Sequence, residues 1–380
     1  ITSDDIDAVT KVLKSGHLTQ GPVVPVFEEN IANLVGSNHA VAANSATSAL
    51  HISCIALGLG KGDILWTVPN SFVASANCGL YCGASIDFVD IDPDTWNISI
   101  TKLKEKLDTA YSLGKLPKII IPVHFGGNPV NQEDLYNLVK PFGIKIVEDA
   151  SHALGASHKG QPMGNCHWSD ITIFSFHPVK IITTGEGGMA LTKNLNLYKK
   201  MQLLRSHGIT RDSSSFKNED FRPWIYEQHV LGFNYRMTDL EAALGLSQIN
   251  RLHGYISCRN KLAKQYNLEF KGLPFKKPQI HVDSVSAFHL YVICLDNDLP
   301  KISGLNARDR LYSVMLEADI GVNIHYMPIH LQPYFRKLGF APGDFPVSES
   351  YSERALTLPL HPSLTEEQQL KVIKRVKGFF

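Results

Sequence analysis

The sequence predicts an α/β fold: a largely parallel sheet covered on both faces within roughly the first 250 residues, then a smaller α+β unit. Three observations lead there. Short apolar runs alternate with helical stretches between residues 39 and 176. Those runs are apolar on both faces, as strands buried under helices on each side must be. The chain of 380 residues, 44% hydrophobic and 19% charged, also carries enough apolar surface for a large core and too little charge for disorder.

Taken in order, Ser3 precedes Asp4 and Asp5 as a helix cap, Ile6, Val9, Val12 and Leu13 follow at helical spacing, and Gly16 stops the helix. Phe27, Ile31 and Leu34 repeat the period. Strands are expected in HAVAAN from 39, DILWTV from 63, IDFVDI from 86, KIIIPV from 118, IKIVED ending at 149 and ITIFSF from 171. Residues 210–231 are polar, carry scattered aromatics and have no period, which marks a long functional or disordered loop. A helix is expected from Thr238 to about Leu252, with Met237, Leu240 and Leu244 on one face. A Pro- and Lys-rich linker from Leu273 to Ser284 leads to a strand at 286–295, a helix from Ala307 to Ala318, a strand at 320–327 and a final helix from Ser363. This organisation divides the chain into residues 1–252 and 253–380.

Charge and cysteines narrow the function classes. Lys plus Arg number 37 against 36 Asp plus Glu, a net charge of +1 without like-charge blocks, so neither nucleic acid nor an anionic membrane has an electrostatic footprint. The six cysteines form no CxxC pair, which suits a reducing compartment. The uncharged run Ile64–Ile86 contains Pro69, Asn70, Ser71 and Asn77 and reads as strand, loop and helix instead of a membrane span. The opening residues show no secretory pattern, and the cytoplasm is the expected compartment.

The chemistry concentrates in three places. In ITIFSFHPVKIITTGEGGMALT, Lys180 stands between an apolar strand and a run of small residues; partial desolvation there lowers an amine's pKa and frees it as a nucleophile. An ordinary lysine on a turn would face water. In IKIVEDASHALGAS, Glu148 and Asp149 end an apolar strand, where an α/β sheet presents residues to its ligand crevice. Asp149 reads equally as a helix cap or as the partner of a cationic ring nitrogen. In VAANSATSALHISCIA, Asn44, Ser45, Ala46, Thr47 and Ser48 open a helix whose N–H groups can hold a phosphate. Lysine, carboxylate and phosphate cradle together describe a pyridoxal phosphate site. GxxxxGK[ST] and GxGxxG are absent, against a nucleotide triphosphatase or dinucleotide enzyme. His325 and His330 lie in no metal-ligand spacing, so no metal is expected, and Trp66, Trp96 and Trp168 read as packing residues, with Trp224 in the polar loop set apart.

Over essentially its whole length the chain resembles the DegT/StrS family of nucleotide-sugar aminotransferases, through SGHLTQGP at 15, NSATSAL at 44, PNSFVASAN at 69, VEDASHALGA at 147, FSFHPVKIITTGEGG at 174, RSHGI at 205, GFNYRMTDLEAALGLSQ at 232 and IHYMPIHLQPYF at 324. The resemblance implies a fold-type-I enzyme, with a large mixed-sheet three-layer α/β domain and a smaller carboxyl-terminal α+β domain, using pyridoxal 5'-phosphate, with pyridoxamine 5'-phosphate as its alternate form. It implies that Lys180 carries the cofactor, Asp149 keeps the pyridine nitrogen protonated, His152 reaches the phenolic oxygen, Phe72 stacks on the ring, and Ala46, Thr47 and Ser175 bind the phosphate. A tight homodimer would bring Asn234 from the neighbouring subunit to that phosphate. Thr19, Gln20, Arg205, His325 and Tyr326 would face the sugar nucleotide. A dehydratase branch replaces the lysine with histidine, so Lys180 favours transamination. Within the family the likeness points to pseudaminic acid biosynthesis: L-glutamate as donor and C4 of a UDP-linked 4-keto-6-deoxy-N-acetylhexosamine as acceptor. Another UDP- or dTDP-keto sugar, or a non-catalytic sugar-binding relative, are the alternatives.

Overall fold

The computed structural model describes residues 1–218 and 222–380. Helix α1 (Ser3–Ser15) begins one residue earlier than its sequence signal: Thr2, not Ser3, is the cap, in a reciprocal capping box with Asp5, and Gly16 closes the helix with a left-handed φ of 79°. Helix α2 (Val23–Val35) leads into strand β1 (His39–Ala43). Then come β2 (Ile64–Thr67), β3 (Ser85–Phe88), β4 (Ile119–Ile120), β5 (Lys145–Asp149) and β6 (Ile171–Ser175); with β1 they fall inside the six apolar runs expected as strands to within one residue.

A seventh strand, β7 (Gly188–Thr192), was hidden in the run of small residues after Lys180. The sheet is mixed, ordered β1-β7-β6-β5-β4-β2-β3: β6, β5, β4, β2 and β3 pair in parallel as the sequence predicts, and β7 runs antiparallel to both β1 and β6. The cause is the connection. Residues 176–187 contain no crossover helix, so the chain can only return beside β6 in the opposite direction. Lys180 sits in that return.

Alternation along the strands feeds two cores. Ile119, Ile121, Val147, Ile171 and Ile173 pack with α3 (Ala46–Ala56), α4 (Ala74–Tyr81) and α5, the helix Ile100–Ser112, lies on the opposite face with Ile120 and Ile146. Phe27 of α2, fully buried, stands 5.1 Å from Phe176. Burying such a ring is worth roughly 1.5–3 kcal/mol, so α2 helps fix the end of β6 where Ser175 emerges. Helix α6 (Gln132–Val139) packs beside α5, and α7 (Leu195–Arg205) covers β1 and β7.

Helix α8 (Asp239–Ile249), capped by Thr238, lies within the expected span and precedes α9 (Leu252–Glu269). The carboxyl-terminal unit is an antiparallel sheet ordered β8 (Phe275–Lys276), β9 (Tyr291–Leu295), β10 (Ala355–Leu358). It is covered by α9, α10 (Ala307–Glu317) and α12 (Glu366–Lys377), and α11 (Pro346–Arg354) runs into β10.

Two strand expectations are corrected here. At 286–295 only Tyr291–Leu295 is strand, because Phe288 takes a left-handed φ of 44° and the buried Arg259 guanidinium draws the Phe288 and His289 carbonyls out of any ladder. At 320–327 there is no strand. Asn323 bridges Thr357, and then the chain turns away, its N–H groups at Tyr326 and Ile329 donating to Asn70 Oδ1 and the Pro69 carbonyl. Those bonds tie the segment to the loop after β2 and carry His325 and Tyr326 toward the large sheet.

Candidate active site

The carboxyl ends of β5 and β6, the start of α3 and the return after β6 converge on a cavity of about 380 Å³. Its walls include Ala46, Thr47, Phe72, Asp149, His152, Ser175, Lys180 and Tyr326, so eight of the residues singled out from sequence meet in one place.

Helix α3 supplies an anion cradle. Ser45 caps it by accepting the Ser48 N–H at 3.1 Å, which leaves the first-turn N–H groups of Ala46 and Thr47 without intrahelical acceptors beside Ser175. The glycines of GEGG make that approach possible: a Cβ on Gly188 would lie 2.3 Å from Ala46 N and 2.4 Å from the Ser45 carbonyl carbon.

Lys180 is largely desolvated, and burial lowers its amine to about 8 while the Asp149 charge pulls the other way. Asp149, the last residue of β5, accepts the Ser75 hydroxyl at 2.7 Å and the Ser151 N–H at 3.1 Å. His152 is held well below the usual imidazole range by burial and by the nearby lysine. Its Nδ1 accepts the Gly126 N–H at 3.2 Å, so the ring proton resides on Nε2, 3.3 Å from the Tyr326 hydroxyl. His325, pushed down to about 4 by burial, is bonded through Nδ1 to Thr357 Oγ1 at 2.8 Å. Phe72 is 60% exposed and lines the cavity.

Not every expected residue arrives. The Arg205 guanidinium, expected at the sugar nucleotide, is taken up by the Glu28 carboxylate and the Ala42 carbonyl, locking β1 to α2 and α7, and is not among the cavity walls. Asn234 is exposed and outside the cavity, bridged to Ser206. Thr19 and Gln20 are exposed; Thr19 bridges Thr238, and Asp239 holds the Gly21 and Val23 N–H groups at 2.8 and 2.7 Å. In the 210–231 loop, Glu227 gathers the N–H groups of Lys217 and Asn218, while residues 219–221 lie outside the described residues. Trp224 is exposed, with the Arg222 guanidinium over its ring; Trp66, Trp96 and Trp168 are buried. His330 pairs with Glu349, and among the described residues no His, Cys, Asp or Glu group is arranged to hold a metal.

Sequence reasoning missed Ser71, Ser75, Ser151 and His289. His289 stands 4.5 Å from His152, and its imidazole is likewise held down by burial. Nothing in SFVASANC or AFHLY announces the contact of Ser75 with Asp149 or of His289 with His152, which join residues far apart in the chain.

A desolvated lysine, a carboxylate at a strand end and a helix start with free N–H groups fit the three demands of pyridoxal phosphate: an aldehyde to capture, a ring nitrogen to charge and a phosphate to hold. On this sheet the class is a fold-type-I pyridoxal phosphate enzyme. The DegT/DnrJ/EryC1/StrS aminotransferase family profile matches residues 1–377, and the chain belongs to that family. It is a pyridoxal-phosphate-dependent sugar aminotransferase. Among its relatives is a UDP-4-amino-4,6-dideoxy-N-acetyl-beta-L-altrosamine transaminase of Campylobacter jejuni, 38% identical over 381 residues, covering 99% of this chain and 94% of that protein. Spr1654 of Streptococcus pneumoniae in its PMP form superposes with a TM-score of 0.90 at 30% identity, covering 100% and 97% of the two chains; a PLP form is also solved. Helicobacter pylori PseC, an aminotransferase involved in the biosynthesis of pseudoaminic acid, gives 0.89 at 31% identity over 100% and 97%.

Proposed function

We propose that this enzyme moves the amino group of L-glutamate to C4 of UDP-2-acetamido-2,6-dideoxy-β-L-arabino-hex-4-ulose, a step in pseudaminic acid biosynthesis. The amino-transfer part rests on one observation, the desolvated Lys180 amine facing Asp149 in the cavity. The sugar part is supported by the 38% identical transaminase, which is named for the corresponding amino sugar, and by the likeness to PseC.

Pyridoxal phosphate, when bound, supplies an electron sink for the carbon that loses a proton. Everything else falls to the chain. Asp149 holds a proton at the ring nitrogen by direct pairing. Lys180 Nζ carries the cofactor at rest and, once displaced by the donor amine, moves the proton between the two carbons as base and then acid. The Ala46 and Thr47 N–H groups and Ser175 Oγ hold the phosphate. His152 Nε2–H donates to the phenolic oxygen, and Phe72 covers the ring. Thr19, Gln20, His325 and Tyr326 contact the sugar nucleotide. Asn234, exposed on its own subunit, completes the phosphate site of a second copy in a homodimer. The cytoplasm is the proposed compartment, a reading the six unpaired thiols support.

The test is incubation with glutamate and a panel of UDP- and dTDP-4-keto-6-deoxy sugars that includes both C5 epimers of the N-acetylhexosamine. Selective amination of the β-L-arabino sugar supports the proposal. Turnover of a different keto sugar alone overturns its substrate, and turnover of none overturns the transfer itself.

A further inference from the structure

We infer that Ser75, backed by Ser71, is a positioning residue for amino transfer: a two-hydroxyl chain that fixes the Asp149 carboxylate and holds its charge toward the ring nitrogen. The inference rests on the reading that Asp149 keeps that nitrogen protonated.

Ser75 lies in the first turn of α4 and is fully buried. A buried hydroxyl in a helix ordinarily satisfies itself on the carbonyl four residues back, as Ser53 does in α3 with Ala49 at 2.6 Å. Ser75 instead reaches Asp149 Oδ2 at 2.7 Å, 74 residues along the chain, a length suited to a charge-assisted bond. Ser71 Oγ lies 2.8 Å behind it.

The direction of the chain follows from the inventory of protons. An ionised carboxylate only accepts, so the single Ser75 hydrogen points to Asp149, and Ser71 must donate to Ser75. The other carboxylate oxygen takes the Ser151 N–H at 3.1 Å. The backbone of Asp149 is held as well, its N–H on the Pro122 carbonyl and its carbonyl under the His124 N–H. Rotating the carboxylate breaks both side-chain bonds at once.

The groups facing Asp149 from other elements leave this role open to Ser75. Lys180 faces it from the return after β6, and Tyr326 from the segment after α10, its phenol pushed up by burial and by the Asp149 charge. His152, from the turn after β5, is kept uncharged by burial. None of the three donates a hydrogen bond to the carboxylate among the described residues. A carboxylate that loses its hydroxyl donor holds its charge less firmly, and the proton it shares with a ring nitrogen leans toward it. The ring then loses positive charge, and the linkage between Lys180 and the cofactor gives up its own proton less readily.

The experiment is a pH titration of the visible absorbance of the holoenzyme, read with the glutamate half-reaction. For Ser75→Ala the absorbance midpoint should rise by about one unit, the scale of a hydrogen bond to a charged group, and the half-reaction should slow about tenfold at unchanged KM. Ser75→Thr, which keeps the hydroxyl, should restore both. A wild-type midpoint in Ser75→Ala overturns the inference. If that variant does not fold, Ser75→Cys carries the test: an intermediate midpoint supports the inference and a wild-type midpoint overturns it. Asp149→Asn separates the two readings. A wild-type titration in that variant refutes the assignment of Asp149 itself, whereas an altered one alongside an unchanged Ser75→Ala refutes only the role of Ser75.

Discussion

In cofactor-free protein, the rate at which pyridoxal phosphate attaches should rise with pH and level off near pH 8. Burial sets that point, because the Lys180 amine is lowered from 10.5 to about 8 against the opposing pull of Asp149. At pH 7 about 9% of such an amine is neutral, compared with about 0.03% of an ordinary lysine, so attachment is about 300 times faster than at an exposed side chain. Stopped-flow absorbance between pH 6 and 10 measures the profile, and a blocked lysine run in parallel removes the titration of the cofactor itself. An inflection near 10, or a rate no faster than the blocked lysine, would refute the reasoning.

The same depression has a stability counterpart with a definite sign. Below pH 8 both folded and unfolded chains hold the proton, and the folded state bears the full cost of a buried ammonium. Between 8 and 10.5 the folded state has released the proton while the unfolded chain keeps it, so stability rises with pH. The shift of about 2.5 units corresponds to about 3 kcal/mol. Lys180→Met should therefore stabilise the cofactor-free protein at pH 7 by an amount of that order, and the gain should fade as pH climbs through 8 toward 10. Chemical denaturation at several pH values reads it; parallel curves for the two proteins would remove the buried-ammonium argument.

Two further predictions follow from the walls of the site. Gly188→Ala places a methyl group 2.3 Å from Ala46 N, where only the helix start can give way, so cofactor affinity should fall at least tenfold and stability by about 1–3 kcal/mol, checked by fluorescence titration and denaturation. Mixing inactive Lys180→Ala with inactive Asn234→Ala subunits should restore about one quarter of wild-type activity, because half of randomly paired dimers are mixed and each has one intact site. No recovery would place Asn234 outside the partner's site.

What the sequence made legible follows the range of the interactions. The alternating runs placed six strands because β5 and β6 carry their period within a few residues. The capped start of α3 and the position of Asp149 were legible for the same reason: a cap and a strand end are local signals. β7 was not, since Gly188, Met189 and Ala190 look like loop residues until β1 and β6 close on them from both sides. The run from Ile320 misled in the opposite way. Ile320, Val322 and Ile324 alternate like a strand, but the backbone bonds of this segment go to Asn70 and Pro69. Arg205 likewise sits in a family motif, yet Glu28, 177 residues away, determines where its guanidinium points. His152, Phe72 and Ser175 entered through resemblance, and Ser75 through neither route, because its partner is visible only once α4 is laid against β5.

The physical layout also decides between catalysis and mere sugar binding. A pocket that only holds a sugar gains nothing from an ammonium out of water, and replacing Lys180 with an apolar residue would relieve about 3 kcal/mol. Three imidazoles surround that lysine, those of His152, His289 and His325, and each is held down by burial with the lysine charge adding to the effect. Such an arrangement leaves proton affinity concentrated on the one group that must give and take protons near neutral pH, while the histidines stay uncharged donors or acceptors. The strain of keeping Lys180 dry is thus intelligible only if its amine reacts, and the surrounding residues are arranged so that it reacts alone.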